Sequence, residues 1–198
     1  MNRSDWPFVT PGIPDSYFTR NRVPLTKEEI RVLTLAKARL GSGMTVYDIG
    51  SGTGSLAIEA AMLVGPGQVL AIEVNPVACN LIEENARRFG LRNVQVVAGA
   101  APAALAGLPV PDRIFIGGSG GRLAAIMATC HEVLRPGGIM VVNAVTPETL
   151  AAALTFGQNR GYQVAALTAS LARLEPAGQA HIWRALNPVQ IIQLIREK

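Results

Sequence analysis

The sequence predicts an α/β fold, a doubly wound and mostly parallel sheet with helices on both faces. Short apolar runs alternate with segments whose apolar residues recur at helical spacing, as expected for parallel strands joined by crossover helices. The chain has 198 residues, 49% of them hydrophobic, which suits one domain with buried strands. The predicted elements are strand 44–49, helix 54–64, strand 68–73, helix 76–89, strand 93–97, a short helix 101–106, strand 112–116, helix 122–134, strand 139–143, helix 147–159 and strand-like runs at 162–173 and 188–196.

Local signals predict where several helices begin. Thr26 and Glu29 have the spacing of a capping box, which places the N-cap of the first helix at Thr26. Asn75 is followed by Pro76, and Thr146 is likewise followed by a proline, so both are predicted caps with proline at the first helical position.

The two ends of the chain are predicted to belong to the same domain, which we take as residues 1–198. Four prolines within residues 1–25 predict an extended N-terminal arm with one helical turn at 15–19. Residues 162–198 are expected to supply C-terminal edge strands, with a less regular stretch at 174–187 and the last two runs paired as an antiparallel hairpin. This arrangement gives seven strands. The apolar run Val189–Ile195 is a candidate segment for a subunit interface.

Composition narrows the functional classes. The net charge is +4 and the pI is about 9.5, but the basic residues are scattered, so either nucleic acid or a polyanionic small substrate is compatible. No apolar run reaches the roughly 18 residues of a membrane span, and the N-terminus lacks an apolar signal core, so a cytoplasmic enzyme is expected. Cys79 and Cys130 lie in no metal or redox motif and are expected to be buried, while His131 and His181 are isolated and expected to be structural.

The richest motif joins the first predicted strand to its helix. Asp48 lies in the strand end, glycines follow at 50, 52 and 54, and Glu73 ends the next strand. Glycines permit positive φ and close backbone approach, and the following helix start offers unpaired N–H groups. An acid after the second strand is placed to accept hydrogen bonds from ribose hydroxyls. The motif therefore predicts a nucleoside-type cofactor at the switch point of the sheet.

The glycine spacing favours one cofactor over another. A dinucleotide fingerprint needs a third glycine where this chain has Ser55, and Asp48 would repel a pyrophosphate. S-adenosylmethionine carries a ribose, an adenine, a sulfonium and an amino acid but no phosphate. The motif thus favours a class I S-adenosylmethionine-dependent methyltransferase with a Rossmann-like sheet, and an NAD oxidoreductase is the less favoured reading.

A second glycine cluster, Gly117, Gly118, Ser119, Gly120 and Gly121, follows the fourth predicted strand. Loops at this edge of such sheets bind ligands, and consecutive backbone N–H groups form anion-binding concavities. Bare backbone also leaves room for a bulky planar substrate. We therefore predict that residues 117–121 bind substrate, with a merely flexible turn as the alternative.

Segments along nearly the whole chain carry a family resemblance. They are 12–15 with Phe18, 23–31, 48–54, 115–121, 134–138, 142–146 and 187–189. In them the sequence resembles the free-standing, decarboxylating cobalt-precorrin-6B (C15)-methyltransferases of cobalamin biosynthesis. This family methylates carbon 15 of a precorrin and removes the carboxyl of the ring C acetate.

The resemblance implies a cofactor, a substrate and partners. The cofactor is S-adenosylmethionine, the substrate is a (cobalt-)precorrin tetrapyrrole, and the protein is a homotetramer without nucleic-acid or membrane partners. Family members often have Asp where this chain has Ala100, so adenine is expected to be held by backbone and packing, at a cost on the order of 1 kcal/mol. Together with the motif, the resemblance predicts cofactor contacts at Thr26, Asp48, Gly50, Ser51, Gly52, Thr53, Gly54, Glu73, Ala100 and Ala101.

The sequence contains no triad, metal-ligand cluster or paired carboxylates, so it assigns no catalytic residue. This suits an activated methyl donor, for which alignment is the main task. Arg22, Arg122 and Arg173 are candidate partners for substrate carboxylates. Two other functions stay open: a class I methyltransferase acting on RNA or protein, and a non-enzymatic binding module that retains the fold.

Overall fold

The computed structural model describes residues 6–197, which form a seven-stranded sheet between two layers of helices and a separate two-stranded sheet. The strand order is β3-β2-β1-β4-β5-β9-β6, in which β1 to β5 are parallel and β9 is antiparallel to both of its neighbours. The strands are β1 Thr45–Ile49, β2 Gln68–Glu73, β3 Val94–Ala98, β4 Arg113–Ile116, β5 Ile139–Ala144, β6 Gln163–Ala169, β7 Ala172–Ala177, β8 Ala180–Ala185 and β9 Val189–Ile195. The helices are α1 Glu28–Ala38, α2 Ser55–Val64, α3 Pro76–Arg88, α4 Leu123–Val133 and α5 Pro147–Asn159, with 3-10 turns at Asp15–Tyr17 and Ala103–Leu105. The α/β, doubly wound fold predicted from the sequence is confirmed.

Both faces of the central strands are buried, which explains why their sequences are largely apolar. In β1, Tyr47 and Ile49 pack on one face against α4 and α5, and Val46 packs on the other against α1 and α2. Burying a large apolar side chain contributes about 1.5–3 kcal/mol, so these strands anchor the fold. The two cysteines are buried free thiols in α3 and α4, as predicted. Within residues 6–197, no helix combines the length and apolar character needed to cross a bilayer.

The C-terminal region differs from the prediction in two ways. The stretch 174–187 was expected to be less regular, but β7 and β8 form a separate two-stranded antiparallel sheet with Gly178 at its turn. Every residue of β8 is exposed, so the hairpin has no buried face to impose an apolar alternation on its sequence. The run Val189–Ile195 is the buried strand β9, inserted between β5 and β6, and this contradicts its role as an interface segment.

The predicted cap of the first helix is also wrong. The helix begins at Glu28 after Lys27, and Thr26 makes no side-chain cap. Instead, Asp15 accepts a hydrogen bond from the Glu28 amide at 3.0 Å, and the Thr26 carbonyl accepts one from Arg31. A tertiary contact with the N-terminal arm therefore replaces the local capping box.

The other two predicted caps form as expected. The Asn75 side chain accepts a hydrogen bond from the Val77 amide at 2.9 Å, and Thr146 accepts one from the Thr149 amide at 3.2 Å. Each cap lies within three residues of its partner, so local sequence was enough to predict it.

Candidate cofactor and substrate cleft

A cleft of about 530 Å³ opens at the carboxyl ends of β1, β2, β4 and β5, where the strand order reverses around β1. Its volume lies in the range usual for small-molecule sites. The walls come from the segments 23–27, 49–52, 72–75, 99–101 and 117–120, with single residues from α1, α3, α4, the end of β5 and the start of β9. The predicted placement of a ligand site at this edge of the sheet agrees with the position of the cleft.

The three glycines after β1 are required by close contacts with other parts of the chain. All have positive φ, between 59° and 78°. A Cβ on Gly50 would lie 2.6 Å from the backbone N and O of Gly118, and one on Gly52 would lie 2.9 Å from the Pro24 carbonyl oxygen. A Cβ on Gly54 would lie 3.0 Å from Ile82. The loop is thus in backbone contact with both the arm and the second glycine cluster, and the space above it stays free of side-chain atoms.

Glu73 lies in the cleft wall and organises the loops around it. Its Oε2 accepts the Gly52 amide at 2.9 Å, and its Oε1 accepts the amides of Val74 and Asn75 at 2.8 and 2.9 Å. An ionised carboxylate offers about four acceptor positions, so about one is left for a ligand hydroxyl. Ribose binding at Glu73 stays a prediction. The Glu73 carboxylate also has a structural role, because it holds the backbone amides of two loops.

Asp48 lies behind the cleft wall and reaches the cleft through Ser51. It is only 2% exposed, and its Oδ2 accepts the Ser51 hydroxyl at 2.6 Å. Burial raises the pKa of Asp48 to about 6, with the nearby Glu73 charge adding to the effect and the Ser51 hydrogen bond opposing it. The carboxyl therefore orients the Ser51 side chain, which itself lines the cleft.

The predicted site residues fall into two groups. Those lining the cleft are Thr26, Gly50, Ser51, Gly52, Glu73, Ala100, Ala101, Gly117, Gly118, Ser119 and Gly120. Asp48, Thr53, Gly54 and Gly121 are outside the lining. The Thr53 carbonyl accepts a hydrogen bond from Asn85 at 2.9 Å, while its buried hydroxyl has no partner among the described residues.

The three candidate arginines have different environments. Arg122 precedes α4 and lines the cleft, whereas Arg22 does not. Arg173 is bound by Glu29 and Asp15 at 2.6 and 3.1 Å and also lies outside the cleft, so its expected pairing with substrate is corrected.

Three polar residues of the cleft, Lys27, Asn75 and Asn143, were not predicted as site residues. Lys27 lines the cleft from the residue before α1. The sequence did not predict this, because the position of Lys27 depends on how the N-terminal arm packs. Asn143 lines the cleft from β5 and accepts a hydrogen bond from the Thr34 hydroxyl at 3.1 Å. Asn143 could have been predicted as a site residue, because it is a polar residue near the end of an otherwise apolar strand, at the edge of the sheet where the cleft opens.

The histidines lie apart from the cleft. His131 Nδ1 is 2.9 Å from the Tyr162 hydroxyl, and His181 is on the exposed hairpin strand β8. Among residues 6–197, no group of three or more His, Cys, Asp or Glu side chains is arranged to hold a metal ion.

The strand order, the glycine loop after β1 and the acid ending β2 together define the fold of class I S-adenosylmethionine-dependent methyltransferases, which solved methyltransferases share. The precorrin methyltransferase domain family matches residues 16–196. The chain belongs to this family, and the resemblance found in the sequence is confirmed.

Named relatives match over nearly their whole length. A protein of Pyrobaculum aerophilum named "Probable cobalt-precorrin-6B C(15)-methyltransferase (decarboxylating)" is 42% identical over 190 residues, which cover 94% of this chain and 97% of that protein. The cobalt-precorrin-6B C(15)-methyltransferase (decarboxylating) of Salmonella typhimurium is 38% identical, covering 93% and 96%. The crystal structure of precorrin-6y C5,15-methyltransferase from Geobacter metallireducens superposes with a TM-score of 0.90 at 38% identity, covering 96% of this chain and 100% of that one.

Proposed function

We propose that this protein transfers a methyl group from S-adenosylmethionine to carbon 15 of a (cobalt-)precorrin and removes the carboxyl of the ring C acetate. The observation that carries the proposal is a cleft with two chemically different halves, in a chain 42% identical to a relative named for this reaction. One half holds the glycine loop and Glu73, and the other is formed largely by the glycine-rich turn 117–120, in which only Ser119 has a side chain.

The residues of the first half fit S-adenosylmethionine. Gly50 and Gly52 keep side-chain atoms out of the loop, and Glu73 keeps an acceptor position for a ribose hydroxyl. Asp48 and Glu73 together make this half anionic, which suits a cationic ligand better than a pyrophosphate. The 99–101 loop has only small side chains at Ala100 and Ala101, which would leave adenine to backbone and packing contacts. When bound, this donor supplies a methyl group already activated on a sulfonium.

The second half suits a flat, polyanionic macrocycle. A Cβ added to Gly120 would meet no atom within 4 Å, so this part of the turn leaves room for a planar ring. Arg122 brings a cationic group to the wall of the cleft, where it can pair with a peripheral carboxylate. Lys27 also lines the cleft, but its ammonium is 3.7 Å from Asp15 in the N-terminal arm.

The protein's main chemical contribution is alignment of the two ligands. Holding a nucleophilic ring carbon in line with the methyl and its leaving sulfur can supply about 7–11 kcal/mol of the barrier in well-oriented cases. The conjugated substrate provides its own electron sink. As the acetate loses carbon dioxide, the electron pair of the broken C–C bond passes into the ring system, whose carbon 15 uses a pair to take up the methyl. The proton that replaces the carboxyl is matched by the proton that carbon 15 loses. No general acid or base of this chain is assigned.

The test is a mass measurement on the product. The protein is incubated with S-adenosylmethionine labelled in the methyl group and with purified cobalt-precorrin-6B. We expect the product to gain one labelled methyl and to lose one carbon dioxide. Parallel incubations with RNA and with protein test the alternative substrates of class I methyltransferases. Label in RNA or protein, with none in the corrinoid, would refute the proposal. Calorimetry with S-adenosylhomocysteine separately tests cofactor binding, and its failure would favour a non-enzymatic binding module.

We also propose a homotetramer in the cytoplasm, on the basis of the family resemblance. The β7–β8 hairpin, rather than β9, offers exposed apolar side chains to another subunit, with Trp183 72% exposed and Leu174 and Ile182 beside it in the same two-stranded sheet. Sedimentation equilibrium gives the mass of the assembly directly, and a monomer at micromolar concentration would exclude the tetramer.

A further inference from the structure

One wall of the cleft is formed by the segment 23–27, where the N-terminal arm leads into α1. The Pro24 carbonyl oxygen lies 2.9 Å from the point where a Cβ on Gly52 would be, so this wall touches the glycine loop backbone to backbone. A shift of the arm would therefore change the shape of the half of the cleft that we assign to the cofactor.

Buried charged groups fix the course of the arm. Asp15 in the arm accepts a hydrogen bond from Arg31 at 2.8 Å, and Arg31 is fully buried in α1. Arg31 also donates to the Thr26 carbonyl in the wall and to Glu59 of α2 at 2.8 Å. Glu59 in turn accepts the amide of Gly12 at 2.8 Å. The arm is thus tied to two helices by charge-assisted hydrogen bonds, which are stronger than neutral ones.

Arg173 joins this network from outside the main sheet. It lies on β7 and donates from Nε and Nη2 to the two oxygens of Glu29 at 2.9 and 2.6 Å, a bidentate pair. Its Nη1 donates to Asp15 at 3.1 Å. The Arg173 side chain is 32% exposed, so it contacts the network from the surface. Its guanidinium is the single group that connects the β7–β8 hairpin, the arm and α1 in these hydrogen bonds.

These contacts shift the pKa values of two carboxyl groups, Glu29 and Asp15. The hydrogen bonds from Arg173 hold the pKa of Glu29 below its usual value. Burial acts to raise the pKa of Asp15, but the hydrogen bonds and charges of Arg31 and Arg173 outweigh it and lower that pKa. Both carboxylates are therefore ionised partners for Arg173 at neutral pH.

We propose that Arg173 is a positioning residue for the cofactor: through Asp15 and Glu29 it holds the arm, and with it the 23–27 wall, against the glycine loop. This inference rests on the function proposed above. The inference replaces the expected role of Arg173 as a ligand of substrate carboxylates. It also means that the β7–β8 hairpin influences the shape of the cleft without lining it.

The hairpin offers a matched control for the test. Arg184 lies directly opposite Arg173 in the register of the two strands, and its Nε donates to Glu175 on the same hairpin at 2.7 Å. Arg173→Ala and Arg184→Ala each remove one ion-paired guanidinium from the hairpin, but only the first removes a contact with the arm. Arg31→Ala is unsuitable because it would leave the buried Glu59 unpaired and threaten folding.

The experiment measures three quantities on each variant: the Kd of S-adenosylhomocysteine by calorimetry, hydrogen exchange of peptides spanning residues 12–27, and the thermal midpoint. For Arg173→Ala we expect roughly three- to tenfold weaker binding, the size of effect that residues in a coupled network produce. Exchange in 12–27 should be faster and the thermal midpoint nearly unchanged. Arg173→Lys should recover part of the affinity, since it keeps a charge but not the bidentate geometry. Arg184→Ala should match the wild-type protein.

Several results would overturn the inference. Unchanged affinity in Arg173→Ala would do so, as would an equal loss in Arg184→Ala. Weaker binding without faster exchange in 12–27 would show that Arg173 does not act through the arm. Failure of the wild-type protein to bind would instead refute the proposed function, and the exchange measurement would still decide whether Arg173 holds the arm.

Discussion

Replacing Gly50 by alanine tests how the two glycine clusters meet in the cleft. Gly50 has φ +73°, and an added Cβ would lie 2.6 Å from the backbone of Gly118. Gly43 has φ +81°, with no atom within 4 Å of an added Cβ, and it precedes β1 outside the cleft. Both substitutions place a side chain in the left-handed region, which costs about 1–2 kcal/mol. Only Gly50→Ala adds a backbone clash, for which overpacking costs of about 1–3 kcal/mol are typical.

The expected free energy of unfolding therefore falls by about 1–2 kcal/mol in Gly43→Ala and by about 2–5 kcal/mol in Gly50→Ala. Urea unfolding measures both values, and calorimetry with S-adenosylhomocysteine measures binding. We expect Gly43→Ala to bind as the wild-type protein does and Gly50→Ala to bind more weakly, because relief of the clash must move the loops apart. Equal losses of stability, or wild-type affinity in Gly50→Ala, would refute this account of the switch point.

Three further predictions concern the cleft. Gly120→Val puts a side chain at φ +53°, which costs about 1–2 kcal/mol, but its Cβ meets no atom within 4 Å. The variant should therefore lose turnover while its affinity for S-adenosylhomocysteine stays nearly intact, and unchanged turnover would exclude the substrate-floor role. Glu73→Ala should weaken cofactor binding about 10- to 100-fold, the value of one hydrogen bond to a charged group, and unaltered affinity in a folded variant would remove the ribose assignment. Because the pKa of Asp48 is raised to about 6, the contribution of Asp48 to the free energy of unfolding should be lost as the pH rises from about 4 to about 6. Between about pH 4 and pH 6, the free energy of unfolding of Asp48→Asn should rise relative to that of the wild type by up to about 3 kcal/mol. A difference between the two proteins that does not change with pH would contradict the assigned pKa.

The success of sequence reasoning depended on the distance over which each signal acts. Asn75 and Thr146 cap helices through partners two or three residues away, and both were predicted. The Thr26 cap was not formed, because Asp15 reaches the Glu28 amide from the arm and Arg31 takes the Thr26 carbonyl. A capping box is a weak local preference of about 1 kcal/mol, and a tertiary charge network can override it.

The same distinction holds in the cleft. The glycine loop and Glu73 were predicted because their chemistry follows from residue types at fixed spacing along two neighbouring strands. The sequence could not show that the glycines are needed for contact with Pro24 and Gly118, since those contacts join segments far apart in the chain. Lys27 was missed for the same reason.

The sequence by itself determined the alternation of strands and helices, the edge of the sheet at which the cleft opens, and the family. These features depend on periodicity and short motifs, which are encoded locally. Only the tertiary structure decided that β9 lies inside the sheet, that β7 and β8 form a hairpin of their own, and that Arg173 pairs with the arm rather than facing the cleft. Strand neighbours and ion-pair partners are chosen by packing among distant segments, and a residue's type does not specify which partner it will meet.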